Sequence, residues 1–183
     1  GFVVSTSINR HVYVTLNEKF DGKVSVRYRV HENVDTVREL KHPLIREILK
    51  EYGINKGVEI VIISEVPAKG SGLGASSAIA VALCAALERW KFGPVEDTLL
   101  YRKNIAQKAA RIEIEKCGSP IGKQDHYASA IGGLNSIKFL QDGTVEGESF
   151  DDTEFIREIE GQSMLFYLNM EHAYHEGGGH FVQ

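Results

Sequence analysis

Cysteine is scarce in this sequence. Cys84 and Cys117 stand alone, with no C-x-x-C pair and no histidine at ligand spacing. Neither a zinc site nor a disulfide framework is therefore indicated. We expect both side chains to be buried, reduced thiols, which pack as small apolar groups.

Long apolar runs and an excess of one charge are also lacking. No stretch reaches the roughly 18 apolar residues needed to cross a bilayer, and no charged and then apolar leader opens the sequence. The net charge is −4 with both signs interspersed, so no basic face favours nucleic acid or a membrane surface. We expect a cytoplasmic protein that binds neither nucleic acid nor membrane; whether it forms a homodimer stays open.

The sequence does contain a series of strand and helix patterns. Its length of 183 residues suits one domain, or one domain and part of a second. Alternation of apolar and polar residues over 23–30 predicts a strand of an antiparallel sheet. An acidic stretch, 148–160, is expected to connect to a second unit that begins with a strand at 164–168. The patterns predict further strands at 1–4, 11–16, 58–64, 134–139 and 144–150, the last two as a hairpin, and helices at 43–52, 75–90 and 95–116.

A glycine-rich loop leads from an apolar strand into an alanine-rich helix. Gly70, Gly72 and Gly74 lie within five residues, which lets several backbone N–H groups face one anion at the positive end of the helix. Ser76 and Ser77 add hydroxyls in the first turn, where a metal-bound nucleotide phosphate needs oxygen ligands. A simple turn is the alternative, but it rarely needs three glycines that each cost up to about 1 kcal/mol in an ordered element.

Two common nucleotide-binding loops do not fit this segment. A Walker A loop needs a lysine at the helix entry, where this chain has Gly74-Ala75-Ser76. A dinucleotide fingerprint needs a second strand that ends in an acidic residue about 20 residues on. Here the helix leads instead into another helical stretch, so the Rossmann interpretation is poor.

Acidic residues near the end of the second long helix form a second constellation. Phosphoryl transfer to an alcohol needs a carboxylate to hold a metal and another near the acceptor hydroxyl. Glu113 or Glu115 suits the first role and Asp125 the second, since Asp125 lies in a glycine-flanked turn that can present a side chain. Lys123, two residues earlier, is placed to act on Asp125 or to reach a phosphate.

Each of these residues also has a structural interpretation. A glutamate beside lysine or arginine on a helix usually lies on a solvated face, and Asp125 could be a helix N-cap. His126 is expected to be a surface or substrate-lining residue, because no second histidine lies within one helical turn. Three histidines near the end resemble ligand spacing more closely, although a disordered tail accounts for them as well; they are His172, His175 and His180.

Together the two constellations resemble the GHMP kinases, the family named for galactokinase, homoserine kinase, mevalonate kinase and phosphomevalonate kinase. Residues 67–78 are similar to its second motif, P-x-x-x-G-L-G-S-S-A, with Ala75 in place of a residue that is often serine. Residues 122–125, with 127–128 and 132–135, are most similar to the heptose-7-phosphate kinase and related sugar-kinase branch. Those kinases typically have glutamine where this chain has His126.

The resemblance implies a role for each matching residue. ATP and Mg²⁺ are the expected cofactors, with Ser77 and Glu113 binding the metal and Glu115 as the fallback. Asp125 takes the place of the catalytic aspartate, and Lys123 is expected to assist it. Contacts with ATP are expected from Pro67, Lys69, Gly70, Ser71, Gly72, Leu73, Gly74, Ala75, Ser76 and Ser77.

The implied fold is α+β, the GHMP kinase N-terminal domain, similar to domain 2 of ribosomal protein S5, in which helices cover a mixed sheet. Residues 1–160 are expected to form this ATP-binding domain without its first strand and motif, and 161–183 to start a C-terminal domain or an irregular tail. The implied activity is ATP-dependent phosphorylation of a hydroxyl on a sugar or sugar phosphate, foremost a heptose 7-phosphate. A non-catalytic nucleotide-binding or regulatory domain is the alternative, and metal binding by the terminal histidines is a third.

Overall fold

The computed structural model describes residues 1–66 and 71–166. Its strands are β1 (Phe2–Thr6), β2 (Val12–Glu18), β3 (Val24–Arg27), β4 (His31–Val34), β5 (Val58–Ser64), β6 (Leu134–Phe139) and β7 (Val145–Phe150). Its α-helices are α1 (Pro43–Glu51), α2 (Ala75–Phe92), α3 (Leu99–Arg111), α4 (Gln124–Ile131) and α5 (Thr153–Gln162). A short 3₁₀ turn at Val37–Glu39 precedes α1, and a π-helical turn at Ile112–Lys116 continues α3.

The described strands form two sheets. One has the order β2-β5-β3-β4 and the other the order β1-β6-β7. Every neighbouring pair is antiparallel except β3 and β5, which run parallel. The fold is therefore α+β with a mixed sheet, as the family resemblance implied, and the predicted hairpin is present as β6 and β7. The alternation in β3 predicted antiparallel neighbours. This is correct for β4 and wrong for β5, which runs parallel to β3.

The strand predicted over 23–30 is too long, because the chain bends after Arg27. The N–H of Tyr28 donates to the carbonyl of Val30 at 3.0 Å, and the chain then returns as β4. Ser25, one of the polar residues of that alternation, is nevertheless buried, with its hydroxyl 3.2 Å from Nε2 of His31. Apolar alternation that runs on through a bend has the same period as a continuous strand, so the sequence could not show the break.

The main core lies between the four-stranded sheet and the helices. Helix α1 buries Leu44, Ile45, Ile48 and Leu49 along one side, because positions three and four apart face the same way on a helix. These side chains join those of β3, β5 and the inner face of α2 in one cluster. The helix ends as predicted, with Gly53 next after Tyr52 in a left-handed conformation at φ 68°.

The two cysteines differ in their surroundings. Cys84 on α2 is fully buried, as expected, and burial raises the pKa of its thiol to about 12. It is therefore protonated and unreactive at neutral pH. Cys117 is only half-buried, so the prediction of a buried thiol is wrong there, because the residue lies just beyond the π-helical turn, where the chain leaves the core.

Helix α3 begins later than the sequence suggested. The side chain of Thr98 accepts a hydrogen bond from the N–H of Tyr101 at 3.1 Å, which caps the helix and leaves Leu99 as its first residue. The predicted start at 95 is therefore wrong by four positions. The helical pattern could not show this, because the cap is a single hydrogen bond of one threonine.

The acidic stretch predicted to be a connection is largely helical. Asp152 accepts hydrogen bonds from the N–H groups of Glu154 and Phe155 at 3.0 and 3.1 Å, and this cap starts α5. A strand was predicted at 164–168, but residues 163–166 belong to no strand. Residues 167 and 168 lie outside the described residues, as do the three terminal histidines. No helix in the described part of the chain combines the length and apolarity needed to cross a membrane.

A buried carboxylate joins β4 to the start of α1. Glu32, only 8% exposed, accepts hydrogen bonds from the N–H of Lys41 at 2.6 Å, the hydroxyl of Tyr28 at 2.9 Å and the N–H of His42 at 3.3 Å. Burial raises the pKa of this carboxyl, but the three hydrogen bonds outweigh burial and hold the pKa below its usual value of 4.5. The ionised form thus stabilises the fold.

We predict that Glu32→Gln lowers the free energy of unfolding at pH 7 by about 1–3 kcal/mol, because in either orientation its amide NH₂ would face a backbone N–H, of Lys41 or of His42, that can only donate. The pKa is lower in the folded state, so the carboxylate stabilises the fold above pH 4.5 and this stabilisation is lost as the pH falls through the folded-state pKa. The difference in free energy of unfolding between wild type and variant should therefore be smaller in acid. Urea unfolding followed by circular dichroism at pH 7 and pH 3 measures it.

The matched control is Glu18→Gln on β2, whose side chain is exposed. It should change the free energy of unfolding by less than about 0.5 kcal/mol at either pH. Equal stability of Glu32→Gln and wild type at pH 7 would contradict the role given to the Glu32 carboxylate.

Candidate functional site

The glycine loop takes the backbone conformations that its composition predicted, where it is described. Gly72 and Gly74 have φ of 65° and 66°, a left-handed region that side chains with a Cβ rarely enter. Gly74 stands directly before α2 and, having no side chain, caps none of the helix N–H groups. Those N–H groups are open to an anion at the positive end of the helix. Pro67, Lys69 and Gly70 lie outside the described residues.

The residues around the helix start divide into exposed and buried positions. Gly72, Leu73 and Ser76 are exposed, whereas Ala75 is buried and Ser77 is only 2% exposed. Ser71, half-buried, lies before them and accepts a hydrogen bond from the N–H of Leu73 at 3.4 Å. The two serines of the first turn therefore face different surroundings, with the Ser76 hydroxyl toward solvent and that of Ser77 toward the protein.

The second predicted motif lies directly against this loop. A Cβ atom placed on Gly74 would be 3.1 Å from both Cβ and Cγ of Asp125 and 3.2 Å from its Oδ2. Such distances are tighter than nine in ten real Cβ contacts, so with any residue other than glycine at position 74 Asp125 would have to shift by a few tenths of an ångström. The packing of α4 against α2 thus places the carboxylate beside the uncapped start of α2.

Asp125 is exposed in the first turn of α4, where the helix dipole stabilises a negative charge. The N-cap position belongs to Lys123, and no side chain caps the helix, so the N-cap interpretation of Asp125 is wrong. Lys123 is also exposed, and among the described residues the two form no ion pair. Both roles predicted for Lys123, an effect on Asp125 and contact with a phosphate, therefore stay predictions.

The π-helical turn after α3 decides which glutamate faces the protein interior. The N–H of Cys117 donates to the carbonyl of Ile112 at 3.1 Å, a five-residue step that widens the last turn. Ile112 is fully buried and Glu113 is 5% exposed, whereas Glu115 is exposed. The solvated-face interpretation is therefore correct for Glu115 and wrong for Glu113.

Two cations hold this turn against α1. The guanidinium of Arg111 and the ammonium of Lys116 both donate to the carboxylate of Glu51 at the end of α1. Lys116 and Arg111 lower the pKa of that carboxyl against the raising effect of burial. Because the two cations flank Glu113 in sequence, they fix both ends of the segment that carries it.

Glu113 forms a buried hydrogen bond with His126. Its Oε2 lies 2.8 Å from Nε2 of His126, which is 0% exposed. The expectation that His126 is a surface or substrate-lining residue is therefore wrong. Successive helix positions are about 100° apart, so the helix that exposes Asp125 turns the next side chain inward, where it needs a polar partner.

The sequence held one signal for the burial of His126. With α4 treated as a helix, His126 lies next to Tyr127 on the side that buries Ile131, which the period of 3.6 would have indicated. Nothing in the sequence indicated that its partner is Glu113. Among the described residues no group of three or more histidine, cysteine or acidic side chains could hold a metal ion, so a cation here would need ligands from elsewhere.

Known proteins share this fold. The family model for the GHMP kinases N terminal domain matches residues 37–133, more than half of the chain. A solved D-glycero-D-manno-heptose 1-phosphate kinase from Bacteriodes thetaiotaomicron superposes with a TM-score of 0.73 and 26% identity, over 85% of this chain and 53% of that one.

Two curated relatives extend the comparison. The D-glycero-alpha-D-manno-heptose 7-phosphate kinase of Campylobacter jejuni is 26% identical over 93% of this chain and 52% of its own length. The mevalonate kinase of Archaeoglobus fulgidus is 36% identical over 51% of this chain and 31% of its own. The chain thus spans about half or less of the length of these relatives. By the match over residues 37–133 and the shared fold, it belongs to the GHMP kinases, with the N-terminal domain of that family as its fold.

Proposed function

We propose that this chain is the nucleotide-binding part of an ATP-dependent kinase that phosphorylates a hydroxyl group of a sugar or sugar phosphate. One observation carries the proposal: Asp125 packs against Gly74 at the uncapped start of α2. A base must lie near the acceptor hydroxyl, and that hydroxyl must approach the terminal phosphate. A carboxylate beside a phosphate-binding helix end meets both requirements.

Phosphate binding is assigned to the start of α2. The N–H groups of its first turn lack a side-chain cap, and the exposed Ser76 hydroxyl lies beside them. These groups would hold the phosphates through backbone donors and the helix dipole. Lys123, exposed on the neighbouring helix, is suited to neutralise part of the phosphate charge. The remaining loop residues named from the sequence are proposed as ATP contacts on the resemblance alone.

Glu113 and Ser77 fit the requirements of a magnesium site. Mg²⁺ prefers oxygen ligands, and it usually binds through one or two carboxylates together with nucleotide phosphates and water. Glu113 is nearly buried, yet only its Oε2 is hydrogen-bonded within the described residues, which leaves Oε1 for a cation. When bound, Mg²⁺ would neutralise charge on the phosphates. The chain contributes one oriented carboxylate and a serine hydroxyl.

A heptose phosphate is the acceptor that the comparisons favour. Two relatives that match most of this chain at 26% identity are named as a heptose 7-phosphate kinase and a heptose 1-phosphate kinase. In the proposed reaction Asp125 accepts the proton of the acceptor hydroxyl as its oxygen bonds to the terminal phosphorus. The bond from that phosphorus to the bridging oxygen breaks and leaves ADP.

We predict that Asp125→Asn in the full-length protein lowers kcat for heptose 7-phosphate by a factor of about 10²–10⁴, because an amide cannot accept the proton. The Kd for Mg-ATP should stay within about threefold of wild type, since Asn preserves the contact with Gly74. A coupled assay of ADP release gives kcat, and isothermal titration gives the Kd. Asp151→Asn, a change at another exposed aspartate, is the control and should leave kcat unchanged.

Unchanged turnover in Asp125→Asn would contradict the assigned role. Mg-ATP binding without turnover by the wild type on any of a panel of sugar phosphates would instead favour the non-catalytic nucleotide-binding domain. The two outcomes are distinct, because the first concerns one residue and the second concerns the activity itself.

Gly74→Ala should impair both ATP binding and turnover. The new Cβ would meet Asp125 at 3.1 Å, so either the aspartate or the helix start has to move, and alanine at φ 66° adds a strain of about 1 kcal/mol. We expect kcat/KM to fall at least tenfold, measured by the same ADP assay. The contact requires a shift of a few tenths of an ångström, and the rate depends steeply on how the reacting groups are placed.

Gly22→Ala is the matched control. Gly22 has φ of 71°, but a Cβ there would meet nothing within 4 Å. It should therefore cost a similar amount of stability, measured by urea unfolding, without loss of kcat/KM. If both variants lose activity equally, the loss in Gly74→Ala comes from backbone strain and not from contact with Asp125.

A further inference from the structure

The buried pair of Glu113 and His126 adjoins the proposed site along the chain, because His126 directly follows Asp125. Both side chains are almost fully removed from solvent, with 6% and 0% exposed. A carboxylate in such surroundings is costly unless it is hydrogen-bonded, and the 2.8 Å contact with Nε2 supplies that bond. His126 is therefore part of what makes a carboxylate at position 113 compatible with the fold.

The proposed metal site decides which atom donates in this pair. The Glu113 carboxylate that would bind a cation can only accept, so Nε2 of His126 would donate to its Oε2. The other ring nitrogen, Nδ1, is buried without a partner among the described residues.

This hydrogen bond leaves Oε1 of Glu113 free to bind a cation, within the described residues. Oε2 is occupied by the imidazole, and Oε1 has no hydrogen-bond partner among the described residues. The described part of the chain offers no cluster of three ligands around a cation. A metal would therefore depend on few protein oxygens, and the direction of this one carboxylate would matter greatly.

The side chain of His126 does not face the side of α4 on which an acceptor would bind. Asp125 is exposed toward the start of α2, whereas the imidazole at the next position is buried against the π-helical turn. A change at residue 126 therefore reaches the site through Glu113 and does not alter the surface that an acceptor would meet.

We infer that His126 is a positioning residue, which holds the Glu113 carboxylate in the orientation that binds the magnesium ion of Mg-ATP and does not select the acceptor. This inference rests on the proposed function, since it gives the metal of that same site to Glu113. A glutamine at position 126 also carries an N–H donor at the end of its side chain and should replace the histidine, whereas leucine or the shorter asparagine should not.

The test measures nucleotide binding to the full-length protein by isothermal titration, with ATP plus Mg²⁺ and with ATP plus EDTA. His126→Leu and His126→Asn should weaken binding in Mg²⁺ about 10–100-fold, as loss of a group that orients a metal ligand does, with less than threefold change in EDTA. His126→Gln should stay within about threefold of wild type in both. Glu115→Gln, at the exposed glutamate of the same turn, is the control and should change neither.

Turnover gives the second measurement. With His126→Asn, raising Mg²⁺ should restore kcat toward wild type, while the KM for heptose 7-phosphate stays unchanged. A melting curve of each variant checks that it folds. If His126→Leu does not fold, the comparison of His126→Asn with His126→Gln tests the inference. A changed acceptor KM with unchanged Mg²⁺ dependence would overturn the inference, and so would glutamine and asparagine variants that behave alike.

The failure of this inference is distinguishable from failure of the proposed function. A wild-type protein that binds Mg-ATP but phosphorylates no sugar would refute the kinase proposal, while the titrations would still decide the role of His126. A wild-type protein that binds ATP equally well in Mg²⁺ and EDTA would overturn the inference, whatever its turnover.

Discussion

The contact on which the candidate site depends is the close approach of Asp125 to the backbone of Gly74. The missing Cβ at residue 74 allows α4 to place a carboxylate against the start of α2, and the left-handed φ of the same residue directs the chain into the helix. One glycine therefore serves two purposes, a turn and a contact. Without this approach the glycine loop and the aspartate would be two unrelated motifs on neighbouring helices.

The rest of the domain keeps these parts in place. The start of α2 is fixed because the helix buries one face against the four-stranded sheet, and the π-helical turn is tied to α1 through Glu51. Helix α4 joins the two, with Asp125 on Gly74 and His126 on Glu113. Adjacent residues of one short helix thus contact both halves of the proposed phosphate and metal site, which fixes the spacing between them.

Local patterns were enough to predict much of the fold, and long-range packing explains what they missed. The hairpin of β6 and β7 follows from two strand patterns on either side of a turn at 141–143, and helix α1 follows from a helical stripe that Gly53 ends. The later start of α3 and the existence of α5 each depend on one capping side chain, Thr98 or Asp152. In the site, the residue types and the left-handed glycines were predictable, but the burial of His126 on Glu113 was not, because those residues meet only after α3 and α4 pack together.

The two carboxylates of the site differ in exposure, and that difference suits them to different work in the proposed kinase. Asp125 is exposed and has no hydrogen bond from another side chain within the described residues, so an incoming hydroxyl can reach it. Glu113 is buried, held by an imidazole and flanked by two cations that are themselves anchored on Glu51. A catalytic base has to be accessible to a substrate that binds and dissociates. A metal ligand binds best when the orientation of its carboxylate is fixed before the metal binds. Since α4 exposes one position and buries the next, a single helical step separates the two roles.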